Sequence, residues 1–455
     1  MSRFDRIILA AVLGLGLTIG VLSVASAKLG PTVDTFSTLD EFDGTSVATQ
    51  VGVAFTTSMN FRSVERSFRI EPSVGGDFSW SGNEMIFRPK RNLSYNTRYA
   101  VTIGTGATDR GGKHILRAYR TSFTTQSPHL MYLGAAGNER DRLVLASVGG
   151  RRQVVGPNDG LVSDYSLSFD SSLVIYVKAG STGEHADELW LLSLADNSTQ
   201  RVFRRAEWSI SQPHLSPDNS QVVFLAQNVR VCRQYYGCFR DRRPEVYFFD
   251  LRSGKVHAFR SSDTPISNFV TYSPLGQIAF TDLSSALTLA SPDGRKPLHI
   301  PNSGNSPEFA GFDAAGDKAA FVGQTPESQG GDILVYSGST YQDVSRGVYD
   351  SSTPAFANSG HRIAYAGYSG EKGIEPVYGI SVYNFATHRT QQLTNDRDWS
   401  DWTPVWSLDD HYLAFIRSVP QEEMYMGSGD IWVMRSTGKD AHPLGGIGRH
   451  ITWVS

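Results

Sequence analysis

The chain has 455 residues, of which 40% are hydrophobic and only 19% are charged, with 44 Gly, 24 Phe, 19 Tyr and 8 Trp. This composition excludes a disordered chain, a coiled coil and a collagen-like fibre, and it favours many short strands joined by tight turns. A net charge of −3 argues against a nucleic-acid-binding protein, and two cysteines are too few for a structural zinc site or a disulfide-dense scaffold.

The first 27 residues have the features of an export signal. Arg3 and Arg6 precede an uncharged run from Ile7 to Ala27, which ends in Ala25-Ser26-Ala27. A basic start, an apolar stretch and an Ala-x-Ala ending are the parts of a secretory signal peptide. The run of 21 residues is also long enough to cross a hydrocarbon core of about 30 Å as a helix. We predict that residues 1–27 are either a cleaved signal peptide or an uncleaved anchor helix in the membrane, and that the rest is extracytoplasmic.

Residues 28–126 show the alternating pattern of β-strands. Val51, Val53 and Phe55 alternate with smaller residues, and further strand-like runs follow at 85–87 and 99–103, with turn residues between them. About 95 residues with turn signals every 8–12 residues are typical of a β-sandwich.

These residues resemble the bacterial Ig-like domain of S-layer and envelope proteins. The matching positions are Phe55, Ser58-Met59, Pro72, Phe87-Arg88-Pro89, Leu93, Thr97, Tyr99, Val101, Asp109, Gly112 and Phe123-Thr124-Thr125. The resemblance implies an Ig-like fold over residues 28–126 and a role as a spacer or adhesive module.

A short unit recurs through residues 127–455. It consists of a small residue, turn residues and an apolar run that in each copy ends in an aromatic residue. The copies begin at Ser168, Ser216, Ser273, Asp313, Ala357 and Ser407, which are 48, 57, 40, 44 and 50 residues apart. Four-stranded propeller blades repeat about every 40–50 residues. We interpret the Ser and Asp of these units as turn-forming rather than catalytic residues.

The two ends of this region complement each other. Ile451–Ser455 has the pattern of one more opening strand, whereas residues 129–133, 142–147 and 152–155 have the pattern of a blade that lacks its first strand. Pairing of the C-terminal strand with this first blade would close the ring and remove its exposed edges. The sequence therefore predicts an all-β protein with a seven-bladed propeller, and six blades are the alternative.

The repeated unit resembles that of the TolB-type, WD-like β-propeller, in which a Pro and an aromatic residue precede Ser-Pro-Asp-Gly. The most similar copies begin at Pro213, Pro354 and Pro404. No copy keeps the full Ser-Pro-Asp-Gly, and TolB propellers usually have six blades. The resemblance implies a TolB-like propeller over residues 127–455.

Long loops between the second and third strands, and at the entrance of each blade, are predicted to share one face, where binding residues are often found. The largest insertion combines arginines with aromatic rings, which suits a protein or an anionic glycan. Its candidate binding residues are Arg230, Arg233, Tyr235, Tyr236, Phe239 and Arg240. Cys232 and Cys238 are candidates for a local disulfide outside the cytosol. The alternative is a solvated insertion held by that disulfide.

A second candidate binding cluster lies at a blade entrance. It consists of Asp396, Asp398, Trp399, Asp401 and Trp402. The carboxylates are suitable ligands for Ca²⁺, and the rings are suitable for stacking on sugars. The alternative is turn-forming Asp residues and packing at the rim.

The sequence contains no His-Glu-x-x-His, no Gly-x-Ser-x-Gly, no P-loop and no Gly-x-Gly-x-x-Gly after a strand. We therefore predict no catalytic residues, no metal site and no enzyme activity. The predicted function is an exported or anchored bacterial envelope protein, whose loop-rich face docks a protein or a glycan. The alternatives are an extracytoplasmic glycan hydrolase or lyase with its site in the channel mouth, and a structural or adhesive surface component.

Overall fold

The computed structural model describes residues 30–38, 40–41, 44–180, 186–228, 244–259, 269–281, 287–295, 297–300, 308–323, 325, 330–338, 340–348, 350–373, 375–420 and 427–454. The chain forms two compact units, Met1–Gln126 and Ser127–Ser455. The predicted signal or anchor segment and the predicted Cys232–Cys238 disulfide lie outside the described residues. Within those residues, no helix has the length and apolar character needed to span a bilayer.

The first unit contains a four-stranded sheet in the order β1-β4-β7-β6, a three-stranded sheet in the order β5-β8-β9, and the short pair β2-β3. Asn60 accepts a hydrogen bond from the Ser63 N–H and so caps the helix α1. The elements are β1 Val33–Ser37, β2 Asp40–Glu41, β3 Gly44–Thr45, β4 Val51–Phe55, α1 Phe61–Ser67, β5 Phe68–Glu71, β6 Gly76–Ser81, β7 Glu84–Pro89, β8 Arg98–Ile103 and β9 Tyr119–Thr124.

The core of the first unit follows the alternation seen in the sequence. Val51, Val53 and Phe55 are buried on β4, and Tyr99, Val101 and Ile103 are buried on β8. Alternate residues of a strand point to opposite faces, so one face of each sheet is apolar and forms the core between the sheets.

The second unit is built of antiparallel sheets, five of them four-stranded among the described residues. Their strands are β13 Val162–Leu167, β14 Leu173–Lys178, β15 Glu188–Ser193, β16 Thr199–Arg204, β17 Trp208–Leu215, β18 Gln221–Asn228, β19 Glu245–Asp250, β20 Val256–Ala258, β21 Val270–Tyr272, β22 Ile278–Thr281, β23 Leu287–Ala290, β24 Leu298–Ile300, β25 Glu308–Phe312, β26 Lys318–Gly323, β27 Asp332–Ser337, β28 Thr340–Asp343, β29 Ser351–Phe356, β30 Arg362–Lys372, β31 Glu375–Asn384 and β32 Arg389–Gln392.

A seven-stranded sheet joins the start and the end of this unit, in the order β12-β11-β10-β36-β35-β34-β33. Its strands are β10 His129–Gly134, β11 Leu143–Ser147, β12 Arg152–Val155, β33 Ser400–Trp406, β34 Tyr412–Ser418, β35 Gly429–Arg435 and β36 His442–Val454. The first part of β36 pairs with β35, and the second part, up to Val454, pairs with β10. The C-terminal strand therefore pairs with the first sheet, as the sequence predicts, but it begins nine residues before Ile451 because one strand serves both neighbours.

Two glycines allow this close pairing. A Cβ atom on Gly446 would lie 2.1 Å from the Tyr132 hydroxyl, and one on Gly448 would lie 2.4 Å from the Tyr132 ring. The Tyr132 hydroxyl donates a hydrogen bond to Glu139, which also pairs with Arg152. The ring of Tyr132 is thus enclosed between β36 and this pair of charges, and only glycine leaves room for it at both positions.

The serines and aspartates of the repeated unit form turns. Ser168 Oγ donates to Asp170 and accepts from the Leu173 N–H, and Ser407 makes the equivalent bonds to Asp409 and the Tyr412 N–H. The interpretation of these residues as turn-forming is confirmed, because their polar groups close the turn between the first two strands of a sheet.

Candidate functional site

The first strands of several sheets carry a β-bulge at equivalent positions. Gln212, Thr353, Thr403 and His450 have positive φ angles of 50°, 47°, 51° and 51°, and each lies where the strand register shifts. Bulges re-aim the groups around them and often lie next to functional sites. In three of the four, a proline follows the bulged residue, which locks the next φ angle.

The bulges connect neighbouring sheets through hydrogen bonds. The Thr403 N–H donates to Thr353 Oγ1 at 3.1 Å, and the Gln212 N–H donates to Asp164 Oδ2 at 2.7 Å. Two indole groups act similarly, since Trp406 Nε1 donates to the Ala355 carbonyl and Trp453 Nε1 to the Val405 carbonyl, both at 3.0 Å. These bonds hold the strands of neighbouring sheets in a fixed relation to one another.

A cavity of about 280 Å³ lies between the sheet β29–β32 and the sheet that contains β33. Its aromatic wall is formed by Tyr378 and Trp402, whose ring centroids are 4.1 Å apart. The remaining walls combine carbon-rich and hydroxyl side chains, with one carboxylate at the edge: Thr353, Glu375, Pro376, Thr403, Ile416, Ser418, Pro420, Gly427 and Ser428. The cavity is therefore largely apolar, with a few polar groups at its edge, as in many ligand pockets.

Tyr378 is positioned from both sides. Its hydroxyl donates to Asp350 Oδ2 at 2.5 Å, and the other oxygen of Asp350 accepts from the Gly331 N–H at 2.6 Å. The Tyr378 N–H donates to Ser400 Oγ at 3.1 Å. Asp350 thereby fixes the ring relative to the preceding sheet, and Ser400 fixes the backbone relative to β33.

A buried ion pair supports Trp402. Arg417 Nε and Nη2 donate to the two oxygens of Asp401 at 2.6 and 2.8 Å, and the guanidinium lies 4.4 Å from the centre of the Trp432 ring. Asp401 is 1% exposed. Burial acts to lower the pKa of Arg417, but the hydrogen bonds to Asp401 and the charges of Asp401 and Asp396 outweigh it and raise that pKa. The pair joins β33 to β34 beside the cavity.

One polar group of the cavity wall is unsatisfied. Trp402 Nε1 is buried and has no hydrogen-bond partner among the described residues. A buried donor without a partner costs about 1–3 kcal/mol. Trp402 Nε1 is one of eight such buried side-chain atoms in the part of the chain that the structure describes, so it does not by itself mark a binding site.

The structure separates the residues of the predicted cluster at 396–402. Asp401 and Trp402 lie on β33, and Trp402 reaches the cavity while Asp401 is held by Arg417. Asp398 forms an exposed ion pair with Lys372 at 3.2 Å, and Asp396 accepts from the Asp398 N–H. Trp399 is half-buried in the entrance loop. The predicted binding residues Arg230, Arg233, Tyr235, Tyr236, Phe239 and Arg240 lie outside the described residues.

The proposed use of these carboxylates as Ca²⁺ ligands finds no support in their arrangement. Asp401 is occupied by Arg417, and Asp398 is turned towards Lys372. In the part of the chain that the structure describes, no group of three or more His, Cys, Asp or Glu side chains is arranged to hold a metal ion.

Sequence reasoning missed Tyr378, Asp350, Arg417 and Thr353. Residues 367–378 are one of the long loops that the sequence predicts between the second and third strands. This prediction is wrong, because β30 and β31 continue through the segment as a long hairpin to Lys372 and Glu375. One signal was available in the sequence, because Thr353-Pro354 and Thr403-Pro404 repeat 50 residues apart. The pairing of Asp401 with Arg417 could not be read from the turn at Ser407, because the register shifts at the bulge between Trp402 and Val405.

A separate titratable cluster lies where β13, β17 and β36 meet. His450 Nδ1 lies 3.2 Å from Asp164 Oδ1, and burial lowers the pKa of the neighbouring His214 to about 4, against the opposing charge of Asp164. Burial acts to raise the pKa of Asp164, but the hydrogen bond and charge of His450 lower it below its usual value. His214 is therefore neutral in the folded protein at neutral and mildly acidic pH.

This neutral histidine makes stability depend on pH. Between about pH 6.5 and pH 4 the unfolded chain protonates His214 and the folded chain does not, so the free energy of unfolding falls as pH falls, by up to about 3 kcal/mol. His214→Gln should flatten this slope in urea titrations at successive pH values. Substitution of the exposed His361 by Gln should leave it unchanged, and a wild-type slope in His214→Gln would contradict the assignment.

The described residues form two units whose regular secondary structure is almost entirely β-strand. Residues 27–125 match the family model of the bacterial Ig-like domain, which confirms the resemblance predicted for that segment. No match was found among curated proteins.

Solved structures similar to this chain include TolB-type and other β-propeller proteins. TolB from Acinetobacter baumannii is 12% identical with a TM-score of 0.40, over 85% of this chain and 83% of that one. Oligogalacturonate lyase from Vibrio parahaemolyticus is 15% identical with a TM-score of 0.44, over 64% and 87%. The propeller domain of the Trilobed protease from Pyrococcus furiosus is 10% identical with a TM-score of 0.43, over 77% and 93%.

Proposed function

We propose that this chain is an exported bacterial envelope protein that binds a partner through its second unit. The matched Ig-like family supports the location, because such domains are typically extracellular. We further propose that the five four-stranded sheets and the two halves of the seven-stranded sheet are the seven blades of a propeller. The shared strand β36 supports this count, since it completes one sheet and opens the next.

The observation that carries the binding role is the cavity whose aromatic wall is formed by Tyr378 and Trp402. It lies where β33 begins and β34 ends, as the pairing of Ser400 with Ser418 shows. In an antiparallel blade, the entrance loop and the loop between the second and third strands meet at this end. This position supports the assignment of recognition to that face.

The chemistry of the walls favours an apolar anchor from a protein partner. The apolar part of the lining consists of two aromatic rings together with Pro376, Ile416 and Pro420. The nearby carboxylates Asp350 and Asp401 are already engaged by Tyr378 and Arg417. Glu375 is the one carboxylate among the described lining residues, whereas glycoside hydrolysis uses a pair of carboxylates. A sugar ring would need several hydrogen-bond partners, whereas an apolar side chain gains from burial alone.

The test is affinity capture from the envelope fraction of the producing organism, with the full chain as bait and mass spectrometry as the readout. Trp402→Ala should weaken capture of the dominant partner at least about 30-fold, the usual effect of losing a central aromatic anchor. Ser428→Trp should have the same effect by filling the cavity without removing any packing.

Trp399→Ala is the matched control, because this half-buried tryptophan lies three residues away outside the cavity. It should leave capture unchanged. Full capture by both cavity variants would overturn the proposed site, and release of trimmed glycan fragments without a stable partner would indicate a hydrolase or lyase instead.

A further inference from the structure

One end of the Ig-like unit carries a group of exposed cations that the binding role above does not use. We call this end the basic pole and define it by Arg66, Arg69, Lys113, Arg117 and Arg120, all exposed. Arg69 and Arg120 flank Thr102 in one row across the sheet β5-β8-β9. Arg69 also donates to the Arg66 carbonyl at 2.8 Å, which places the two residues side by side.

Among the described residues, the four arginines of this pole are not paired with carboxylates. Arg66, Arg69, Arg117 and Arg120 form no ion pair with any residue of the described chain. Two carboxylates lie nearby, Asp109, which accepts from the Lys113 N–H, and Glu65, which accepts from Trp80 Nε1. Both keep their negative charge, but the five cations of the pole outnumber them. The pole therefore presents a positive field in a chain whose net charge is −3.

The chain enters the unit at this same pole. Gly30 lies against the segment 114–116, because a Cβ atom there would be 2.2 Å from the His114 carbonyl and 3.4 Å from Leu116. Leu116 is a large apolar side chain that is 65% exposed. The uncharged run Ile7–Ala27 ends three residues before Gly30, a distance of at most about 10 Å for an extended chain.

We propose that the basic pole docks on the anionic phospholipid headgroups of the bilayer that residues 7–27 enter in the anchor-helix alternative. Each Lys or Arg near an anionic membrane contributes about 1 kcal/mol of binding, and Leu116 adds apolar area at the headgroup boundary. This inference rests on the extracytoplasmic location proposed above, but not on the cavity at Trp402.

The chain enters the Ig-like unit at the basic pole and leaves it at the opposite end. β9 runs from Tyr119, next to the basic pole, to Thr124, which pairs with Arg98 at the other end. The chain leaves the unit there, two residues later at Gln126. Docking through the basic pole therefore leaves the exit of the unit facing away from the bilayer.

The experiment is co-sedimentation of residues 28–455, which include all described residues of both units, with lipid vesicles. The probes are vesicles of phosphatidylcholine alone and vesicles that also contain phosphatidylglycerol. We expect binding to the anionic vesicles only, weakening as salt rises. Arg117→Gln with Arg120→Gln should reduce the partition constant about 25-fold, since each lost charge lowers binding about fivefold.

Arg88→Gln with Arg91→Gln is the matched control, because it removes the same charge at the end of the unit opposite to the basic pole, where Phe87 pairs with Val51. This variant should bind as the wild type does. An equal loss of vesicle binding in both double variants would overturn the proposal. So would equally strong binding to vesicles made only of phosphatidylcholine, or binding to a soluble anionic polysaccharide without binding to vesicles. If the membrane-docking inference fails in this way, capture of the partner by the same variants at the wild-type level would show that the proposed binding function still stands.

Discussion

Truncation after Gly448 is expected to abolish the native state of the second unit. The removed segment supplies the buried side chains of Ile451, Trp453 and Val454 and all the pairing of β36 with Leu130 and Met131. It also leaves β10 as an open edge. The loss is on the order of the whole stability of a domain, about 5–15 kcal/mol. Circular dichroism and urea unfolding would show it, with the transition of the Ig-like unit retained as an internal reference.

If the truncated chain does not fold, a point variant still tests the pairing of β36 with β10. Trp453 is 3% exposed and its indole N–H bonds to the Val405 carbonyl of the preceding sheet. Trp453→Ala should therefore lower the free energy of unfolding by about 3–5 kcal/mol. Trp399→Ala, at a half-buried loop position, should cost much less. Similar unfolding midpoints for the wild type and Trp453→Ala would contradict closure through β36.

Loss of the Asp401 carboxylate is expected to have the next largest effect. Asp401→Ala leaves the Arg417 guanidinium, whose side chain is 11% exposed, without its bidentate partner. Removing one member of a buried pair costs about 3–5 kcal/mol, because a buried charge remains uncompensated. Urea unfolding of the purified variant measures this loss.

Two further variants distinguish the cost of leaving a buried charge unpaired from the cost of shortening a side chain. Asp401→Leu combined with Arg417→Met should recover most of the lost stability, since apolar replacement of both members is often close to neutral. Asp398→Ala removes a carboxylate that is 76% exposed and pairs only with Lys372 among the described residues, so it should cost less than about 1 kcal/mol. Equal destabilisation by Asp398→Ala and Asp401→Ala would contradict the structural role assigned to Asp401.

The two aspartates show how far sequence reasoning reached in the site. Asp398 and Asp401 lie in one short, acidic and aromatic segment, and nothing local distinguishes them. The structure places Asp398 in an exposed loop and Asp401 on β33 opposite Arg417. This difference depends on where the strand begins and on the side chain that the next strand presents, so composition alone predicted a cluster that the fold divides.

The closure of the second unit shows a different kind of limit. The C-terminal strand and its partner were recognisable because the repeat leaves one opening strand at the C-terminal end and a blade that lacks its first strand at residues 129–155. That β36 is one continuous strand of 13 residues was not predicted, because the glycines within it are typical of turns. Gly446 and Gly448 instead make room for Tyr132, a contact that only the pairing of distant strands creates.

The amino-acid sequence by itself determined the all-β class, the Ig-like segment, the repeated turns and the pairing of the two ends, because alternation, turn residues and spacing are local properties. The tertiary structure alone decided which side chains meet. Trp402 faces Tyr378, and Tyr378 is held by Asp350, through the register of neighbouring sheets and the bulges at Thr353 and Thr403. These contacts join separate strands, and their geometry depends on the packing of whole sheets rather than on any short segment.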